Sequence, residues 1–232
     1  MDQQVVLIVF QVVVLILAFS IHECAHAWTA NRLGDPTALM LGRVTLNPLK
    51  HIDPLGSVLF PLIGLVYGGM LFGWAKPTPV TPRNFKHYKR DDILVSLAGP
   101  ASNLLSAIVA LVVLIILKHA IAGGATAVAT AVLLANHIPV STENLPQLFP
   151  VALFLYYVIL LNLLLLVFNL IPLPPLDGSH ILRHFLPYDA LKFYDRIPMF
   201  AMLIVMILFG GFIFRIFLVP LQGVFNALLF QL

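Results

Sequence analysis

The sequence predicts an all-α polytopic membrane protein of about five to six transmembrane helices, with a short extended element on the cytoplasmic side and a segment that re-enters the bilayer. Three observations lead there. Of 232 residues, 60% are apolar and only 10% charged, where a soluble domain carries about 25% charged residues; the mean hydropathy is +0.99. Uncharged runs approach the roughly 20 residues that cross a bilayer. The charges that remain gather in a few short segments between those runs. No stretch is polar enough to form a separate soluble unit, so one membrane-embedded domain over residues 1–232 is expected. A net charge of +3, concentrated beside apolar runs, carries topology rather than nucleic-acid binding. The single cysteine, Cys24, excludes an intramolecular disulfide framework.

The runs follow in order: Gln3 to Ile21, Pro54 to Ala75, Ile93 to Leu117, Val151 to Ile171 and Ile197 to Phe214, with a weaker Ala- and Gly-rich run from Ala120 to Val140. The first run is expected to be a retained helix and not a cleaved signal, because Met1-Asp2-Gln3-Gln4 lacks a basic residue. Arg32, Arg43 and Lys50 follow it, and Lys76, Arg83, Lys86, Lys89 and Arg90 precede the third run, so both segments read as cytoplasmic. The stretch from His119 to Pro150 carries only Glu143 and reads as external; Arg183, Lys192 and Arg196 return the chain inside. A single crossing by Pro54 to Ala75 would put the most basic segment outside. That stretch, with Pro61 inside it and Gly64, Gly68, Gly69 and Gly73 following, is therefore expected to dip in and return. Arg215 then falls at the outer end of the last span, and the residues after it lie along the interface or extend that helix.

Leu41 to Pro48 has strand character, and Gly73 to Val80, with alternating prolines, must be extended. Such edges suit pairing with an unwound substrate. His51 before Asp53-Pro54 is expected at the interface.

The chemistry gathers at His22-Glu23-Cys24-Ala25-His26, an H-E-x-x-H motif at the end of an apolar helix. Histidines four apart lie about 40° apart on the helix wheel and one turn along it, so both imidazoles reach one metal ion. Glu23, about 60° from His26, can act on a water there without ligating the metal. Cys24 points away and is assigned to packing. Unpaired, these groups would each cost about 2.5–3.5 kcal/mol at bilayer depth; a metal ion removes most of that cost. A catalytic zinc needs a third protein ligand. Asp177 suits best, since it follows a helix that descends to the same face and sits on a stretch stiffened by Pro172, Pro174 and Pro175; as a helix N-cap it would be merely structural. His180 is the rival ligand and His184 a weaker one. Asn103 reads as a packing residue beside Pro100, with lining of the site second.

H-E-x-x-H at His22, Glu23 and His26, followed by N-x-x-P-x-P-x-L-D-G at Asn169, Pro172, Pro174, Leu176, Asp177 and Gly178, resembles the site-2 protease family of intramembrane zinc metalloproteases. Gly42 to Pro48, Gly73 to Pro77 and Ala98 to Asn103 resemble segments of its compact bacterial and archaeal members, and the chain leaves no room for a PDZ or nucleotide-sensing domain. The resemblance implies one Zn2+ per chain held by His22, His26 and Asp177, Glu23 as general base, and Asn169 holding the substrate or the oxyanion. The expected substrate is a transmembrane protein or peptide cut within or near the bilayer, in the cell membrane, with the site toward the cytoplasm and no nucleic-acid partner. The competing reading is a membrane metal-ion binding or transport protein.

Overall fold

The computed structural model describes residues 3–59, 74–140 and 145–232, and among them there is no β-strand. The helices are α1 (Gln3–Arg32), α2 (Thr37–Met40), α3 (Tyr88–Ala120), α4 (Gly124–Ala135), α5 (Phe149–Asn169), α6 (Asp177–Arg183), α7 (Tyr188–Tyr194) and α8 (Met199–Gln231). Helix is the form that satisfies every backbone group of an apolar run inside lipid. Four described stretches are long and apolar enough to cross a membrane: Leu7–Arg32, Tyr88–Ala120, Phe149–Asn169 and Leu208–Gln231. The chain is an all-α multi-pass membrane protein. α4, rising about 18 Å, falls short of the roughly 30 Å hydrocarbon core. The expected re-entrant stretch lies mostly on residues 60–73, outside the described residues. The helices on either side of it meet at one end of the bundle, where His26 of α1 bonds to Val95 of α3 and Ala30 packs with Phe85 and Val95.

α1, α3 and α5 pack together, and α5 forms the centre: Leu153, Tyr156, Ile159 and Leu163 are almost wholly buried. α4 turns back from α3 through Gly123, whose φ of +77° is a left-handed conformation open to glycine. A Cβ on the next residue, Gly124, would lie 1.9 Å from the Leu117 carbonyl oxygen, so the hairpin closes only without one.

α8 continues through Pro220 to Gln231, which makes Arg215 a mid-helix residue and not the outer end of a span. Polar bonds fasten its far end: Tyr156 donates to Asn226 (2.9 Å), Gln222 to Asn136 (3.0 Å) and Lys118 to the Leu229 carbonyl (3.0 Å).

The expected strand at 41–48 folds instead into turns. Arg43 is buried there and donates to the carbonyls of Lys50, Lys76 and Pro77, so a side chain takes the place of a ladder. His51 is buried, not interfacial; its Nε2 meets the Thr45 carbonyl at 2.8 Å, and its own carbonyl accepts from Lys76 N–H. Residues 74–80 are irregular, as alternating prolines require.

Asp35 pins that stretch to the end of α1. Its carboxylate accepts from the Thr37 and Thr81 N–H groups and from Asn84 Nδ2 (2.8 Å). Burial pushes its pKa up, but the bonds from Thr37, Thr81 and Asn84 outweigh that and hold it below the usual carboxylate range. A depressed folded pKa means that the stabilisation is present above the unfolded value and fades as pH falls through the folded one. Asp35→Asn should lower stability at neutral pH by about 1.5–3 kcal/mol, and the gap to the unsubstituted chain should close under strongly acidic conditions. Thermal unfolding of the two proteins across pH reads both effects; a gap that persists at low pH would show that the carboxylate charge is irrelevant.

Candidate metal centre

α1 carries His22, Glu23 and His26 into the bundle within one turn, and α3 covers them. The two imidazoles stand nearly perpendicular, 83° between planes, with their Nε2 atoms 3.0 Å apart. Each Nδ1 faces an acceptor on α3: His22 meets Asn103 Oδ1 at 2.7 Å, and His26 meets the Val95 carbonyl at 2.7 Å. Oxygen acceptors there place the protons on Nδ1 and leave the Nε2 lone pairs facing each other. Two lone pairs at that separation repel unless a cation lies between them.

The third group arrives from a broken segment. α5 ends at Asn169, Pro172, Pro174 and Pro175 prevent its continuation, and the chain restarts as α6 at Asp177. A Cβ at Gly178 would meet the Leu170 and Ile171 carbonyl oxygens at 2.4 and 2.6 Å, so only glycine lets α6 seat this closely under α5. His184, just past α6, bonds Asp92 of α3 at 2.6 Å and ties the segment down. Asp177 Oδ2 then lies 3.3 Å from His22 Nε2 and Oδ1 3.4 Å from His26 Nε2. Asp177 makes no helix-capping bond, and Leu176 holds the N-cap position. Oδ2 is buried without a hydrogen-bond partner.

Donor chemistry tests whether a metal fits. Three ligands about 2.0–2.1 Å from one zinc at tetrahedral angles stand about 3.3–3.4 Å from each other. The observed separations are 3.0, 3.3 and 3.4 Å. Among the described residues, His22, His26 and Asp177 are the group of donors close enough to share an ion. His180 is exposed along the same cavity and is not part of that group, while His184 is engaged by Asp92.

Glu23 is buried next to the pair; Oε2 accepts from the Thr78 N–H at 2.7 Å, and Thr78 Oγ1 donates to the Glu23 carbonyl at 3.0 Å. Thr78 therefore clips the extended stretch onto α1. The clip alters the expectation that this stretch is an open strand edge: Lys76 and Thr78 have spent their N–H groups on His51 and Glu23, and Pro77 and Pro79 have none. The backbone of residues 76–79 can meet a peptide only as an acceptor. A cavity of about 400 Å3 opens onto the cluster, lined by His22, Glu23 and Asp177 with Trp74, Phe168 and Asn169 among others. Asn169 spends one amide hydrogen on the Leu165 carbonyl, 3.0 Å away. The sequence reading missed Asn162 altogether, although an asparagine at bilayer depth calls for a partner; Asn103 donates to its Oδ1 at 2.8 Å.

Residues 10–211 match peptidase family M50. The chain belongs to peptidase family M50. It is 36% identical over 200 residues to YwhC of Bacillus subtilis (strain 168), a match covering 86% of this chain and 80% of that protein, which carries the name of a zinc metalloprotease. It is 28% identical over 220 residues to Rip2 of Mycobacterium tuberculosis (strain H37Rv), covering 92% of this chain and 74% of the relative, also named as a zinc metalloprotease. No solved structure matches. The M50 motifs sit on the elements just described, with the H-E-x-x-H helix and the carboxylate segment facing each other across one cavity.

Proposed function

We propose that this M50 peptidase is an intramembrane zinc endopeptidase that hydrolyses peptide bonds of membrane-protein substrates within or near the bilayer, working as a single domain over residues 1–232. The observation that carries this reading is the convergence of two imidazoles and one carboxylate at tetrahedral spacing beside a buried glutamate. His22, His26 and Asp177 would hold one Zn2+, which supplies Lewis-acid polarisation of the scissile carbonyl when bound.

The remaining work belongs to the chain. Glu23 removes a proton from the attacking water and returns it to the departing amine, so one carboxylate serves as base and then as acid. The Thr78 N–H fixes Oε2 and thereby aims the carboxylate. Asn169 meets the substrate through its carbonyl oxygen and second amide hydrogen. The carbonyls along 74–80 that Arg43 and Ser57 leave open receive N–H groups of an unwound substrate, which must otherwise lose its helical bonds in lipid. Arg32, Arg43, Lys50, Lys76, Arg83, Lys86, Lys89 and Arg90 all lie between α1 and α3 or at their site ends, which supports a site facing the cytoplasm of a cell membrane.

Purified chain in lipid should contain one zinc and cut a single-span substrate peptide. Chelation should abolish the cut, and zinc should restore it. Zinc passage into sealed vesicles without any cleavage would support the transport alternative instead; that alternative is disfavoured by Glu23, which adjoins the donors yet is not among them.

A further inference from the structure

We propose that Asn103 and Asn162 form a positioning relay that fixes the tautomer of His22 and so sets the affinity of the metal centre. The inference rests on His22 being a zinc ligand and extends that reading to two residues on other helices.

The relay starts from a group that cannot turn round. The Val158 carbonyl in α5 only accepts, so Asn162, one helical turn later, must point Nδ2 at it; the distance is 2.8 Å. That choice leaves Asn162 Oδ1 facing α3. Asn103 must answer with its own Nδ2, at 2.8 Å. Its Oδ1 is thereby turned to His22 Nδ1 at 2.7 Å. An oxygen with no hydrogen demands a donor, so His22 carries its proton on Nδ1 and presents a lone pair from Nε2 toward His26 and Asp177. The polarity of each link follows from the one before it, back to a backbone carbonyl.

Burial gives the relay its force. Asn103 is 0% exposed and Asn162 2% exposed. Neither amide can flip toward water without leaving polar atoms unpaired in an apolar core, which costs several times what a surface flip would. The second ligand needs no such device: His26 is oriented directly by the Val95 carbonyl. The two ligands are thus held by different means, one by backbone and one by a side-chain chain that substitution can cut. Outer partners of this kind orient a ligating imidazole and raise its basicity, and their loss typically weakens metal binding about 10- to 100-fold.

The test measures Zn2+ affinity by chelator competition on the purified full-length chain in lipid nanodiscs, without reference to cleavage. Asn103→Leu should weaken zinc binding about 10- to 100-fold. Asn162→Leu should weaken it by a smaller factor, because it leaves Asn103 in place but unoriented. In the Asn103→Leu background, Asn162→Leu should change affinity by less than about twofold, since residues in contact within one hydrogen-bond network are not independent and their losses do not add. Asn103→Asp keeps an acceptor opposite Nδ1 and should recover affinity relative to Asn103→Leu; a merely space-filling role would make the buried charge the worse of the two.

Circular dichroism of the chelated proteins reads folding separately. Affinity of folded Asn103→Leu within about twofold of the original, fully additive losses in the double variant, or Asn103→Asp no tighter than Asn103→Leu would each overturn the relay. An unsubstituted chain that binds no zinc would instead overturn the metal reading on which it stands.

Discussion

Glu23→Gln should eliminate peptide-bond cleavage and leave zinc content and fold unchanged. The substitution removes one property and keeps the rest. A glutamine carbonyl still accepts from the Thr78 N–H that holds Oε2 at 2.7 Å, so the clip between α1 and the 74–80 stretch survives. The Thr78 hydroxyl still reaches the residue-23 backbone carbonyl. His22, His26 and Asp177 keep their separations, because the hydrogen bonds and close approaches that hold them do not run through Glu23. What is lost is an oxygen basic enough to take a proton from water. Positioned general bases contribute about 10²–10⁴-fold, and here the same group also returns the proton to the amine, so the loss should sit at the upper end. Elemental analysis gives the zinc content, and electrophoresis of a single-span substrate gives the cleavage. Undiminished cleavage by Glu23→Gln would reassign the base; zinc lost together with activity would make Glu23 part of the metal centre instead.

The sequence showed some of this site and hid the rest, for reasons that follow from the range of each interaction. The pairing of His22 with His26 is written in a helical period and needs nothing beyond 3.6 residues per turn. Asp177 was legible through chain order: a descending helix, three prolines and a carboxylate bring it to the correct face. The partners of the two Nδ1 atoms left no comparable trace. Val95 acts through its carbonyl, which every residue has, and its role comes from how α3 approaches α1. Asn103 was read as packing because nothing local distinguishes a lining residue from an orienting one; only Asn162, 59 residues away, settles which way its amide faces. His51 reads as interfacial from its neighbours in sequence, whereas in the fold its ring meets the Thr45 carbonyl and its own carbonyl takes the N–H of Lys76, distant in sequence. The strand character of 41–48 is real as local propensity, but there is no partner strand among the described residues, and Arg43 claims the carbonyls of Lys50, Lys76 and Pro77.

Gly99→Ala should remove the metal centre while sparing the bundle. α3 covers the imidazoles of α1, and Gly99 lies directly against them. A Cβ built there would lie 2.4 Å from His22 Cε1, 2.4 Å from His26 Nε2 and 2.6 Å from His22 Nε2, well inside any carbon–nitrogen contact. A flexible side chain would swing aside, but these rings are fastened at their far ends, to Asn103 and to the Val95 carbonyl. To admit the methyl group, either both hydrogen bonds break or α3 moves away from α1. Overpacking of this kind costs about 1–3 kcal/mol, which a bundle whose centre is the fully buried face of α5 can absorb. The zinc site cannot, since the methyl group intrudes beside the two Nε2 atoms that define it. Zinc affinity should fall by at least about 100-fold, more than the loss of either Nδ1 partner alone, and cleavage should vanish with it. Helical content should persist by circular dichroism. Chelator competition and substrate cleavage on one preparation read both quantities. Unchanged zinc binding in Gly99→Ala would mean that α3 sits farther from α1 than the structure shows, and the Val95 and Asn103 contacts would then fail along with it.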